Sequence, residues 1–89
     1  MATYLIGYDL NKQKNYPDLI DAIKSLSGTW WHHLDSTWII VTEKTAVQIR
    51  DSLKKHIDND DELLVARLHG AAAWTGFNSN GSQWLENNL

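Results

Sequence analysis

The stretch TWWHHLDSTWIIVT, residues 29–42, decides the fold of this chain. It contains two β-rich runs, residues 29–34 and 37–42, with only Asp35 and Ser36 between them. A connection this short joins antiparallel neighbours, and the stretch therefore predicts a β-hairpin at the centre of the sequence.

The hairpin also concentrates rings and titratable groups. Side chains alternate between the two faces of a strand, which predicts Trp31 and His33 on one face and Trp30 and His32 on the other. Adjacent histidines that face opposite ways cannot bind one metal ion within one chain. The rings can fill the core, form a subunit interface or stack on a base or nucleotide. The candidate ligand-binding residues are Trp30, Trp31, His32, His33, Trp74 and Phe77.

The segments that flank the hairpin alternate between strand and helix patterns. Residues 3–10 form a nearly continuous apolar run, which predicts a central strand. Pro17 and the apolar positions after it predict a helix of about ten residues that ends before Gly28. After the hairpin, residues 45–48 have the form of a capping box at the start of a second helix, and residues 62–69 predict a fourth strand.

This β-α-β-β-α-β order predicts an α+β protein of the ferredoxin-like type, a four-stranded antiparallel sheet with two helices on one face. We expect one domain over residues 1–89, with a core at residues 1–69 and a C-terminal tail at residues 70–89. In the tail, Ser82 is expected to cap a short terminal helix. Because two helices cover only one face of the sheet, the tail or a second subunit must cover the other.

The composition narrows the class of protein. The chain has 89 residues, a formal charge of −3 and no cysteine, so no disulfide framework or thiolate metal site can form. The acidic balance argues against a protein that coats duplex nucleic acid through its phosphates. No apolar run reaches the roughly 20 residues of a membrane span, and we expect a cytoplasmic protein with no membrane partner. The small core favours a homodimer.

The first strand carries the segment that is most specific to a family. Residues 4–11 read YLIGYDLN, an apolar strand that ends at Tyr8 and Asp9, and this segment resembles the CRISPR-associated protein-two family. Those are the small dimeric proteins of the spacer-acquisition complex, and the chain is similar also to their SinR-like relatives. The resemblance implies that Asp9 of each subunit holds a shared Mg²⁺ or Mn²⁺ ion as the catalytic residue of a metal-dependent nuclease.

The carboxylates of the chain also have interpretations that need no ligand. At a strand end, Asp9 can accept hydrogen bonds from nearby backbone amides, such as that of Asn11, and cap the following loop. The acidic run at residues 58–61 is similar in composition to a calcium loop but lacks the central glycine and the terminal glutamate. We expect a solvated turn there.

Two functions remain open at this point. The first is a dimeric protein that handles a nucleic acid or a nucleotide, which the Tyr8-Asp9 strand ending favours. The second is a non-enzymatic module that sequesters a nucleotide signal or binds a protein through its Trp/His hairpin and aromatic tail. The acidic charge and the five tryptophans favour the second.

Overall fold

The computed structural model describes residues 1–10 and 17–89, which form a four-stranded sheet and three α-helices. The elements in chain order are β1 (Ala2–Asp9), α1 (Pro17–Ser25), β2 (Trp30–Trp31), β3 (Thr37–Thr42), α2 (Ala46–Leu53), a 3₁₀ turn (Lys54–His56), β4 (Glu62–Leu68) and α3 (Ser79–Asn88). The strands lie in the order β2-β3-β1-β4, and every neighbouring pair is antiparallel. The predicted α+β class with a four-stranded antiparallel sheet is confirmed. The polar loop expected at residues 11–15 lies outside the described residues.

One face of the sheet is covered by α1 and α2. The apolar stripe of α1 buries Leu19 and Ile23, and that of α2 buries Ile49 and Leu53. These four side chains pack in one cluster with the buried strand residues Tyr4, Ile6, Trp38 and Ile40. Full burial of one such aliphatic side chain contributes about 1.5–3 kcal/mol, so this cluster is the main apolar contribution to stability.

Helix α2 begins at the predicted capping box. The Gln48 backbone N–H donates to Thr45 Oγ1 at 3.1 Å, and the Thr45 backbone N–H donates to Gln48 Oε1 at 2.9 Å. A helix start leaves its first amides without intrahelical partners, and the reciprocal pair satisfies one of them together with the amide of the cap itself. The sequence pattern therefore located this helix start correctly.

The hairpin is shorter than predicted. Strand β2 contains only Trp30 and Trp31 instead of residues 29–34. In a longer ladder, Thr29 would pair with Val41 of β3. The Val41 N–H instead donates to Ser27 Oγ at 3.1 Å, and this side chain occupies the position that the next strand residue would take.

The hairpin loop is correspondingly longer than the two residues expected. The Thr37 N–H donates to the Leu34 carbonyl at 3.3 Å, and Ser36 adopts a positive φ of 55°. His32 and His33 therefore lie in the loop rather than in the strand, and the predicted strand assignment of both residues is wrong.

The tail forms a ten-residue helix, which starts earlier than predicted. Asn78 Oδ1 accepts a hydrogen bond from the Gly81 N–H at 2.7 Å, so Asn78 is the N-cap of α3 and Ser79 its first residue. The expected cap, Ser82, lies inside the helix, where its hydroxyl accepts from Trp74 Nε1 at 3.2 Å.

Helix α3 packs on the second face of the sheet. Leu85 is buried against Trp31 of β2 and Ile39 of β3, and Thr3 Oγ1 donates to the Asn88 carbonyl at 2.8 Å. The cover expected for this face is thus supplied, in part, by the tail of the same chain. Toward the other end of the sheet the same face carries Leu64, which is 60% exposed.

Candidate functional site

The candidate rings of the hairpin and tail form one cluster on the second face. The ring centroids of Trp31 and Phe77 are 5.1 Å apart, those of His33 and Phe77 are 4.9 Å apart, and those of Trp31 and His33 are 6.0 Å apart. Trp74 packs against the same buried group. Trp31 is only 5% exposed, because side chains of the tail pack against its indole.

The indole N–H of Trp31 is buried without a hydrogen-bond acceptor among the described residues. Its Nε1 lies beside Gly81 of α3, where a Cβ atom would be 3.3 Å away. The indoles of Trp74 and Trp84 do have acceptors, the hydroxyls of Ser82 and Thr29. A buried donor without an acceptor costs about 1–3 kcal/mol, so this contact between the hairpin and α3 is not optimal.

The remaining hairpin rings lie on the face that carries α1 and α2. His32 stacks on Trp38 with ring centroids 3.8 Å apart and an interplanar angle of 15°. Burial of the imidazole lowers the pKa of His32 below its ordinary value; nearby Asp35 opposes this effect, and Lys24 adds to it. Trp30 is 41% exposed, with the Lys24 ammonium 5.6 Å from the centroid of its ring.

The six candidate ligand-binding residues therefore separate into two groups. Trp31, His33, Trp74 and Phe77 pack together beneath or beside the tail, and Trp30 and His32 lie on the opposite face. Of the two strand tryptophans, Trp30 is the one that presents its ring to solvent.

The second candidate site contains two carboxylates at the end of the sheet. Asp9 ends β1, Glu62 begins β4, and the register places them directly opposite each other. Opposed residues of an antiparallel pair project from the same face with Cβ atoms about 4.5–5.5 Å apart. Both residues are exposed, and they line a shallow hollow of about 280 Å³ beside Gly7. Like charges in this arrangement repel, which costs stability unless a cation lies between them.

A third group of carboxylates lies in the turn before β4. One carboxylate oxygen from each of Asp58, Asp60 and Asp61 lies within 4.8 Å of the others. The Asp58 N–H donates to Asp61 Oδ2 at 2.8 Å, and the Asp61 N–H donates to the Asp58 carbonyl at 3.1 Å. These bonds give the segment the geometry of a turn, and its three carboxylates could in principle hold a cation.

Glu62 is the residue that the sequence interpretation missed. Its position as the first residue of the fourth predicted strand was visible, but its proximity to Asp9 follows only from the pairing of β4 with β1 and from the register of that pair. Once β4 is placed beside β1, the antiparallel direction brings the end of β1 to the start of β4.

Comparisons with known proteins add no family assignment. No protein-family model matches the chain, and no solved structure matches it. Within residues 1–10 and 17–89, no helix is both long enough and apolar enough to cross a lipid bilayer.

Proposed function

We propose that the chain is a ferredoxin-like homodimeric protein that handles a nucleic acid or a nucleotide through a divalent cation bound at Asp9. The ferredoxin-like assignment is supported by the strand order β2-β3-β1-β4, in which α1 and α2 each connect two strands that a third strand separates. The observation that carries the metal site is the pairing of Asp9 with Glu62 at the open end of the sheet.

The donor set fits Mg²⁺ or Mn²⁺. These ions take carboxylate oxygens together with several waters, and two opposed carboxylates at an open surface leave room for both the waters and a phosphate. Asp9 and Glu62 would hold the ion within one subunit. The bound ion would supply positive charge for a phosphate group and would acidify a coordinated water. That local charge compensates for the acidic balance of the chain, which otherwise disfavours phosphate binding.

Titration with Mn²⁺, followed by electron paramagnetic resonance, tests the site directly. We expect the tightest-bound ion of the wild type to depend on both carboxylates, so that Asp9→Asn and Glu62→Gln each weaken its binding at least about 10-fold, or about 1.4 kcal/mol. Asp18→Asn is the matched control, because Asp18 is an exposed carboxylate on α1. Unchanged Mn²⁺ affinity in both site variants would remove the proposal.

A nuclease assay on the same variants separates binding from catalysis. If the ion activates water, cleavage of single-stranded or duplex substrates should require Mg²⁺ or Mn²⁺ and should be lost in Asp9→Asn, while circular dichroism remains that of the wild type. Metal-independent cleavage, or wild-type cleavage in Asp9→Asn, would exclude a catalytic role for Asp9.

The alternative function is a non-enzymatic binding module, and the exposure of Trp30 favours it. An exposed indole beside a lysine can stack on a base while the ammonium contacts a phosphate. Stacking contributes about 1–3 kcal/mol per base, so Trp30→Ala should weaken nucleotide binding roughly 5- to 150-fold. Nucleotide titrations monitored by tryptophan fluorescence, with Leu34→Ala as control, measure this. Equal affinities of the wild type and Trp30→Ala would exclude the stacking role.

A further inference from the structure

Strand β4 has an outer edge that pairs with no strand of the described sheet. The Tyr8 N–H donates to the carbonyl of Ser36, the residue before β3, at 3.1 Å. Consecutive residues of an antiparallel strand direct their N–H and C=O groups to opposite sides. Gly7 and Asp9, the neighbours of Tyr8, therefore bond to β4, and their partners Leu64 and Glu62 direct their backbone groups toward β1. The N–H and C=O groups of Leu63, Val65 and Arg67 consequently point away from the sheet. An edge of this kind is a template for another strand.

The side chain at the centre of this edge is apolar and accessible. Leu64 is 60% exposed, and it sits between two hollows, of about 220 Å³ and 280 Å³, that border the strand on its two faces. The exposed Val47 of α2 lines the first hollow. A second apolar strand edge laid against β4 would remove Leu64 from water and satisfy the outward backbone groups.

We propose that β4 pairs antiparallel with β4 of a second copy of the chain, about a two-fold axis that passes through Leu64. Leu64 then lies opposite the partner's Leu64, and Leu63 lies opposite the partner's Val65. The outward N–H and C=O groups of one edge meet those of the other, as an isologous interface requires. This inference rests on the proposed homodimer and names its interface.

The charges at the two ends of β4 select this register. The strand follows the acidic turn that contains Asp60 and Asp61, and it ends at Arg67, with His69 close behind. With the axis at Leu64, the register brings Arg67 to the end of the partner's acidic turn, at Asp61, and the second such pair of opposite charges follows by symmetry. A register shifted to centre on Val65 would instead place Arg67 opposite Leu63 and lose both pairs.

The size of the interface predicts a weak dimer. A single pair of seven-residue edges, flanked by the exposed side of α2, falls toward the lower end of the interface class that buries about 1,200–2,000 Å². We therefore expect a dissociation constant of about 1–100 µM. Salt should weaken the dimer, because the paired charges lie near the surface.

The interface also determines how Asp9 can bind metal. Asp9 and the partner's Asp9 would be separated by three strand spacings, or about 14 Å laterally. Two carboxylates so far apart cannot share one ion, whose oxygen ligands lie at about 2.0–2.6 Å. In this dimer each ion is held by Asp9 and Glu62 of one subunit, unlike the shared site that the family resemblance implies.

Sedimentation and cross-linking test the interface. Sedimentation velocity over a concentration series up to about 200 µM chain should show most wild-type chains in dimers at the highest concentration. Leu64→Lys, which places two ammonium groups opposite each other, should raise the dissociation constant at least about 30-fold. Leu34→Lys is the matched control, because Leu34 is a 46% exposed leucine of the hairpin loop. Since the chain has no cysteine, Leu64→Cys should form a disulfide dimer under mild oxidation and Leu34→Cys should not.

Each result decides one part of the proposal. A wild-type monomer at that concentration overturns both the interface and the homodimer. A dissociation constant that Leu64→Lys leaves unchanged, or equal cross-linking of the two cysteine variants, overturns the interface and leaves the homodimer intact. Mn²⁺ titration of the wild type at chain concentrations below the dissociation constant of the dimer tests the Asp9 site separately, because each subunit is expected to bind its ion without the partner. Circular dichroism checks that each variant is folded.

Discussion

The buried indole N–H of Trp31 leads to a prediction about Gly81 of α3. A Cβ atom added to Gly81 would lie 3.3 Å from Trp31 Nε1 and 3.2 Å from Asn78 Oδ1. A serine hydroxyl carried by that Cβ can approach Nε1 to about 2.9 Å, the usual length of an N–H···O hydrogen bond. We therefore expect Gly81→Ser to supply the acceptor that the indole lacks and Gly81→Ala to supply none.

The expected difference follows from three terms. Both substitutions crowd the same two atoms, so the steric cost cancels between them. Alanine is the better helix former by about 0.5 kcal/mol. A new acceptor for a buried donor offsets a penalty of about 1–3 kcal/mol. Gly81→Ser should therefore be more stable than Gly81→Ala by about 1 kcal/mol, or about 4–8 °C in melting temperature for a domain of this size.

Urea unfolding and thermal melts of the two variants measure the difference. The serine variant should also shift the Trp31 Nε1–H proton resonance downfield, which a change in helix propensity alone would not do. Gly28 offers a control pair, because a Cβ there meets no atom within 4 Å, and Gly28→Ser and Gly28→Ala should show no comparable preference for serine. An alanine variant as stable as the serine variant, with an unchanged Nε1–H resonance, would refute the reasoning.

Two further predictions concern the hairpin. The pKa of His32 is lowered in the folded chain, so the unfolded chain binds more protons at acidic pH. Stability should therefore fall as the pH decreases from about 7 to 5, and His32→Gln should flatten this dependence in urea midpoints; a ring titration by NMR with an unshifted pKa would contradict it. Ser27→Ala should cost about 1–2 kcal/mol, because the Val41 N–H loses its 3.1 Å acceptor. Amide exchange at Val41 should quicken in this variant, and unchanged exchange would show that Ser27 does not protect the ladder.

Much of the fold follows from local patterns. The capping box at Thr45 and the apolar stripe of Ile49 and Leu53 were enough to locate α2, because both signals depend on residues one or two turns apart. The apolar run of β1 likewise placed that strand at the centre of the sheet. These elements are correct because the interactions that specify them lie within one short segment.

The predicted bounds are wrong where contacts with another segment or a capping side chain determine where an element begins or ends. Strand β2 stops short of Thr29 because the Ser27 hydroxyl bonds to Val41, which lies 14 residues away. Helix α3 begins at Ser79 because Asn78 is an available cap, although the Asn-Ser-Asn-Gly sequence has the composition of a turn. Secondary-structure propensity did not predict either boundary, since each depends on which backbone group the side chain of Ser27 or Asn78 hydrogen-bonds.

The sequence predicted most residues of the candidate sites, but it did not predict which of them lie close together. Asp9 was identified from its place at a strand end, and its opposed partner Glu62 required the pairing of β4 with β1. The hairpin rings were identified as a set, but whether each ring is covered depends on the tail. Trp31 is buried against α3, whereas Trp30 is exposed. The local sequence around these two adjacent tryptophans does not predict this difference in burial.

The tail of the chain determines which half of the second face remains available. Helix α3 covers the half around Trp31 and Ile39, so the indole of Trp31 is occupied in packing. The other half keeps its exposed groups at the Asp9 and Glu62 ends of β1 and β4 and along the outer edge of β4. Both proposals fall on that half and share β4. Strand pairing at Leu64 would order the strand that carries Glu62, and a cation between Glu62 and Asp9 would relieve their repulsion and tie β4 to β1. If the cation favours the ordered strand, linkage requires the dimer to bind it more tightly by the same factor by which the cation strengthens the dimer.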